Sequence, residues 1–238
     1  MPDDELTRKF MGSMPAAYAQ AFDEQDAREH ARIVDGRGSS LAQVEVWRTL
    51  PQGVAILCVV ADDRPGLVAL VSAAFLAHAL DVRSAQIYCR DAGNGQLEAV
   101  DFFWLRNVSA GTTLDVARLD ACARTIRELL GAEVAGPALP EHVAGGDVGA
   151  RVSYSPDPTS SERFEVVLEA RDFPGLLHTV ARLLHQHGLE VIRCEIRTEE
   201  GIARDRFWVT SFSGGSPSAQ LQAFRAALLG VIAALQKS

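Results

Sequence analysis

The sequence holds few cysteines, and none are neighbours. Cys58, Cys89, Cys122 and Cys194 form no C-x-x-C pair and no zinc-ligand spacing. Each sits in an apolar, periodic context, which reads as a reduced, buried thiol in a cytoplasmic protein. Long apolar runs are also missing. None approaches the roughly 20 residues of a membrane span, and the acidic start Met-Pro-Asp-Asp-Glu lacks the apolar centre of a secretory signal. Positive charge is in deficit, with 23 Lys and Arg against 31 Asp and Glu and a net charge of −8. That argues against nucleic acid or an anionic membrane as partner, since both need basic patches. No motif calls for a cofactor. Gly36-Arg37-Gly38-Ser39-Ser40 is glycine-rich, but no buried strand precedes it, which argues against a phosphate loop. His178, His185 and His187 have no fourth ligand near in sequence, so no metal site is expected.

What is present is a repeat. Asp63-Arg64-Pro65-Gly66-Leu67 recurs as Asp172-Phe173-Pro174-Gly175-Leu176, and the same offset carries Leu80 to Leu189, Val82 to Val191 and Ile87 to Ile196. After a turn the offset shortens, and Asp101, Phe103 and Trp104 map to Asp205, Phe207 and Trp208. The indel falls in the turn, where Asp91-Ala92-Gly93-Asn94-Gly95 is longer than Glu199-Glu200-Gly201. A length change confined to a Gly-rich turn is what two copies of one fold show.

Each repeat reads alike. A continuous apolar run, 54–61 or 164–170, is short enough for a buried strand. The Pro-Gly follows at once, with proline placed for the first turn of a helix. The next apolar residues, Leu67, Leu70, Val71, Ala74 and Phe75, have the spacing of an amphipathic helix. In the second repeat they are Leu176, Val180, Leu183 and Leu184, with His187 completing the stripe. Two strands around a Gly turn come next, 82–90 with 97–106 and 191–198 with 203–212. A second helix closes each repeat, striped by Leu119, Cys122, Ile126, Leu129 and Leu130, or by Leu221, Phe224, Leu228, Val231, Ile232 and Leu235.

The order β-α-β-β-α, twice, predicts an α+β protein of two ferredoxin-like βαββαβ domains, each with two helices on one face of an antiparallel sheet. The final strand is in short supply. Residues 133–135 offer a brief candidate in the first repeat, and the second has none after its helix. Leading segments 43–50 and 151–154 are expected to fill the missing edges. The expected division is a helical extension over 1–40, a first domain over 41–136, a linker over 137–149 and a second domain over 150–238. The segment 136–149 is rich in Gly, Pro and Ala without periodicity, as linkers are. In the extension, Asp23 opens a polar helix reaching Val34 and ending at Gly36 and Gly38, after a shorter helix marked by Leu6, Phe10 and Met14. Neither is apolar enough to stand alone, so both are expected to dock on the first domain or on a partner.

Asp-x-Pro-Gly-Leu between a buried strand and an amphipathic helix resembles the ACT domain, a small-molecule-binding regulatory module. Residues 82–87 and 100–104 fit the same pattern. The chain as a whole resembles the C-terminal tandem ACT region of the bifunctional PII uridylyltransferase/uridylyl-removing enzymes. The likeness rests on Met14-Pro15-Ala16-Ala17-Tyr18 with His30-Ala31-Arg32, on Val44-Glu45-Val46 and on Arg151-Val152-Ser153-Tyr154. The catalytic parts of those enzymes have no counterpart in the sequence: no Asp-x-Asp pair occurs, and no His is followed by Asp. The resemblance therefore implies a non-catalytic regulatory protein that binds a small amino acid, glutamine by the closest likeness, in nitrogen metabolism.

The turn suits such a ligand. A helix start offers unpaired N–H groups and partial positive charge to a carboxylate. Gly66 has no Cβ to block approach, and Asp62 or Asp63 can accept from an ammonium. The resemblance places the ligand where the turn, with Arg64 and Leu67, meets the second strand at Ser84 and Ala85. In the second repeat the matching residues are Asp172, Phe173, Gly175, Leu176, Arg193 and Cys194. That repeat departs from the pattern at Phe173, Arg193 and Glu195, changes that alter the ligand or fill the site. Ala79 stands where Gly188 ends the helix, which puts the bend before the first repeat's second strand in question. Three alternatives remain open. Asp63 caps a helix and nothing more; the ACT pair serves only dimerisation or protein interaction without a ligand; or Asp101 and Asp205, expected on the open side of the sheet or at an interface, do chemistry. Beyond a ligand, the expected partner is a second chain or another protein.

Overall fold

The computed structural model describes residues 2–93, 95–108, 114–131 and 149–235. The expected strand at 133–135 and nearly all of the expected linker lie outside them. Three helices come first, α1 (Pro2–Ser13), α2 (Tyr18–Ala21) and α3 (Glu24–Gly36). The first repeat follows as β1 (Ala42–Leu50), β2 (Val54–Asp62), α4 (Leu67–Ala77), β3 (Leu80–Asp91), β4 (Leu97–Asn107) and α5 (Val116–Gly131). The second repeats it as β5 (Arg151–Pro156), β6 (Arg163–Arg171), α6 (Leu176–Gln186), β7 (Leu189–Glu199), β8 (Ile202–Ser211) and α7 (Pro217–Leu235).

All eight strands join one sheet in the order β1-β2-β4-β3-β7-β8-β6-β5, every neighbouring pair antiparallel. The protein is thus two ferredoxin-like domains placed edge to edge. The leading strands β1 and β5 hold the outer edges beside β2 and β6. The inner edges meet through β3 and β7, paired at Ser84–Arg197, Ala85–Ile196 and Gln86–Glu195. Both inner strands carry a register shift near their start, between Val82 and Ser84 and between Val191 and Arg193. A bulge there bends the strand and re-aims its first residues.

Strand alternation decides what lies on each face. Ala55, Leu57, Val59 and Ala61 of β2, with Ala99, Phe103 and Leu105 of β4, join α4 to α7 in one continuous core. Ile56, Cys58 and Val60, with Val100 and Phe102, point the other way and are covered by α1 to α3. The helical extension therefore docks on the first domain. Asp23 caps α3 by accepting from Asp26 N at 2.9 Å. Tyr18 and the His30 Nδ1 lie 2.6 Å apart beneath it, and burial pushes His30 down to about 3, so its ring stays neutral within the aromatic cluster. In the second domain the corresponding face has no such cover among the described residues. Trp208 sits there between the guanidiniums of Arg193 and Arg206, 4.3 and 5.1 Å from its ring.

Candidate functional site

The Pro-Gly does not open the helix as expected. Leu67 N donates to Arg64 O, and Gly66 has φ 86° and ψ 2°. That is a type II β-turn, with proline at its second position and glycine at its third, where φ must be positive. Leu176 N to Phe173 O and Gly175 at φ 89° repeat it. Gly66 and Gly175 become the N-cap residues, and no side chain caps either helix. Asp63 is therefore not a helix cap.

Each turn faces the other domain, because α4 packs on α6 while β3 pairs with β7. At the first turn a small cavity, about 10 Å³, is lined by Asp63, Leu67, Cys89 and Asp101 of one domain and by Glu190, Val191 and Ile192 of the other. The Glu190 carboxylate accepts a hydrogen bond from Gly66 N at 2.9 Å. The position at which a ligand carboxylate was expected thus holds a carboxylate of the protein itself. Burial pushes Glu190 up to about 8, the Gly66 N–H opposing and the Asp63 charge reinforcing. Asp101 is fully buried; desolvation raises it well above the usual carboxylate range, the Asp63 charge reinforcing and the backbone N–H of Tyr88 opposing. His185 of α6 closes on Gly66, where an added Cβ would lie 3.1 Å from its ring.

The second turn is the counterpart with different occupants. Asp172, Phe173, Gly175, Leu176 and Asp205 line a cavity of about 20 Å³ with Asp81 and Val82 of β3. Asp81 holds the place that Glu190 has in the other repeat, but it pairs with Arg106 at 2.7 Å. Among the described residues no acceptor takes the Gly175 N–H. Asp205 accepts from Arg197 N at 3.3 Å, and burial pushes it up to about 8. Asp172 is raised as well, first by burial and then by Asp81, with Thr198 and the Arg106 charge opposing. Arg83, on the β3 bulge, reaches across to Thr198 O at 3.2 Å.

The structure brings some of the expected residues together and parts others. Asp63, Gly66 and Leu67 share the first site, and Asp172, Phe173, Gly175 and Leu176 the second. Asp62 turns away to Arg37, at 2.6 Å, and is mostly exposed. Arg64 donates to Leu130 O. Ser84 and Ala85 lie in the middle of the β3–β7 junction and line neither cavity. Arg193 points to the opposite face, paired with Glu195 and stacked on Trp208, while Cys194 is buried in the core. The turns are met instead by the first residues of the other domain's strand, 81–82 and 190–192, which the bulges direct inward. Asp101 and Asp205 do not face the open side of the sheet. They share the helix-covered face with Phe103 and Phe207, and each lines a junction cavity.

The histidines divide in the same way. His178 is buried between α4 and α6, its Nδ1 3.1 Å from Ala69 O, and His185 stacks on Phe212. His187 lies just past the helix, as its C-cap, rather than on its stripe. Among the described residues no three His, Cys, Asp or Glu side chains gather closely enough to hold a metal ion, and no helix is long and apolar enough to cross a membrane. The bend at Ala79 is kept: Ala79 adopts φ 52° where Gly188 has 75°.

No protein-family model matches the chain. Curated relatives do. Over 96% of this chain, it is 28% identical to a bifunctional uridylyltransferase/uridylyl-removing enzyme of Phenylobacterium zucineum, and it is 26% identical to one from Caulobacter vibrioides over the same share. An ACT domain-containing protein of Arabidopsis thaliana is 42% identical over 55 residues, 23% of this chain and 13% of its own length. The chain is similar to the uridylyltransferase/uridylyl-removing enzymes along nearly its whole length. It spans only about a quarter of theirs. With the ACT likeness, this supports a regulatory ACT module.

Proposed function

We propose that the protein is a regulatory amino-acid sensor, with L-glutamine as its ligand, and that the two Asp-x-Pro-Gly-Leu turns are its binding sites. One observation carries the reading: Gly66 N–H already donates to a carboxyl oxygen, that of Glu190. A backbone donor at a helix start with no Cβ beside it accepts a ligand carboxylate on the same terms. Asp63 and Asp172, which line the two cavities, accept from the ligand ammonium in this reading. Asp101, buried beside Asp63 with only the Tyr88 N–H to offset its desolvation, gains from any further N–H brought near it.

Cavities of about 10 and 20 Å³ hold a water at most. Binding therefore requires Glu190 to leave Gly66, or the two domains to part at the junction. A ligand that binds only the parted arrangement shifts its population, and that shift is the signal. The likeness to uridylyltransferase/uridylyl-removing enzymes supports uridylyl transfer as the process so regulated.

Calorimetric titration of the full chain with L-glutamine, then with the other common amino acids, tests the reading. Saturable heat, abolished by Asp63→Ala together with Asp172→Ala, supports it. A folded sample that binds none of them overturns it in favour of a second reading, an ACT pair used only for assembly. That second reading draws on the same geometry, since Glu190 already occupies the first turn and the cavity at the second holds no more than a water.

A further inference from the structure

A cavity of about 230 Å³ lies away from both turns, between α1, α3 and the base of the β3–β4 hairpin. One wall is apolar, formed by Leu6, Phe10 and Val34. The other carries Lys9, Arg37 and Arg90 against Asp35 and Glu98, with Asp62 ion-paired to Arg37 just beyond the lining.

The two arginines are held in place but not used up. Glu98 bridges them, one oxygen accepting from Arg37 Nη1 at 2.7 Å and the other from Arg90 Nε at 2.7 Å and Nη2 at 2.6 Å. Arg37 gives Nε to Ser40 O and Nη2 to Leu41 O and Asp62. Arg90 gives Nη1 to Ser13 Oγ. A guanidinium carries five N–H bonds. One on Arg37 and two on Arg90 therefore have no partner among the described residues. The guanidiniums are fixed by a buried carboxylate, so little side-chain entropy is lost when they bind a second one.

We propose that this cavity binds a small monocarboxylate with a short apolar chain. The carboxylate takes the free guanidinium hydrogens and the Lys9 charge, and the chain lies against Phe10 and Val34. Both arginines already face carboxylates and Lys9 alone adds uncompensated charge at the lining, which suits a monoanion better than a phosphate dianion. This site does not depend on ligand binding at the turns, although Arg37 also holds Asp62, the residue next to Asp63.

Titration calorimetry of the full chain with hexanoate, and separately with inorganic phosphate, tests it. The expected result is saturable one-to-one heat with hexanoate, weakened about threefold by Lys9→Ala and tenfold or more by Arg90→Gln, and unchanged by Asp63→Ala. Lys9 is exposed, so its variant keeps the test valid if Arg90→Gln unfolds. Folded protein that does not bind hexanoate, binding indifferent to Lys9→Ala, tighter binding of phosphate, or loss of binding in Asp63→Ala would each overturn the assignment.

Discussion

The two Pro-Gly turns have the same backbone, and the protein loads them differently. Gly66 and Gly175 differ by 3° in φ, 86° against 89°. Each faces an acid from the other domain at the same place in the repeat. Glu190 reaches its turn and is hydrogen-bonded there. Asp81 is one methylene shorter, and Arg106 holds it instead. One turn is closed by an internal carboxylate, and the other keeps its N–H. A repeat that preserves its frame while changing two side chains makes two sites of unequal readiness. The second turn should accept a ligand first, since nothing need be displaced from Gly175.

The bends that follow α4 and α6 are a harsher comparison. Gly188 has φ 75°, and a Cβ there would lie 1.9 Å from Ser213 Oγ and 2.9 Å from Gln220 Nε2. Gly188→Ala combines left-handed strain, about 1–2 kcal/mol, with a clash that breaks the Gln220–Ser213 hydrogen bond. A loss of about 2–4 kcal/mol in urea unfolding is expected. A loss below about 1 kcal/mol would mean that the bend before β7 yields freely.

Glu190 offers the next largest effect, and its sign depends on pH. Its folded value, about 8, lies above the ordinary value of 4.5. Between these values the folded state binds more protons than the unfolded one, so stability falls as pH rises from about 4.5 to about 8 and then levels. Asp205, also pushed up to about 8, adds to the same slope. Glu190→Gln keeps an acceptor for Gly66 N–H and removes the charge. It should stabilise the protein at pH 8 by about 2–4 kcal/mol and change little at pH 4.5. Melting curves at the two pH values check this. Equal shifts at both would show that the gain does not come from the charge.

Much of this fold is legible in the sequence because its signals are local. The apolar spacing of 67–75 and 119–130, the Gly-bearing turns and the repeat offset all describe residues close in the chain. The leading strands β1 and β5 were also readable, since each repeat lacked an edge. The site was half legible. Asp63 and Gly66 announce themselves by motif, but Glu190 and Asp81 reach the turns only because β3 pairs with β7, and nothing near those residues encodes that pairing. The direction of Asp101 was obscured for a different reason. Val100 and Phe102 are as apolar as Phe103 and Leu105, because α1 to α3 cover the second face. With both faces buried, alternation loses its contrast. In β8 the contrast survives: Asp205 shares parity with Phe207 and Val209, against Arg204, Arg206 and Trp208. That parity pointed to the core side.

The smallest effect tests whether the two bends are one device. Ala79 holds φ 52° without glycine's freedom, and its carbonyl accepts from Val108 N at 3.0 Å as that of Gly188 does from Phe212 N. The strain at such a residue costs about 1–2 kcal/mol, while glycine gives back roughly 0.5–1 kcal/mol in chain entropy. Ala79→Gly should therefore stabilise the first domain by about 0.5–1 kcal/mol, seen as a shift in the urea midpoint with an unchanged slope. A loss of stability would mean that the Ala79 methyl group contributes packing that outweighs its strain, and that the first domain has rebuilt the bend around a side chain the second cannot accommodate.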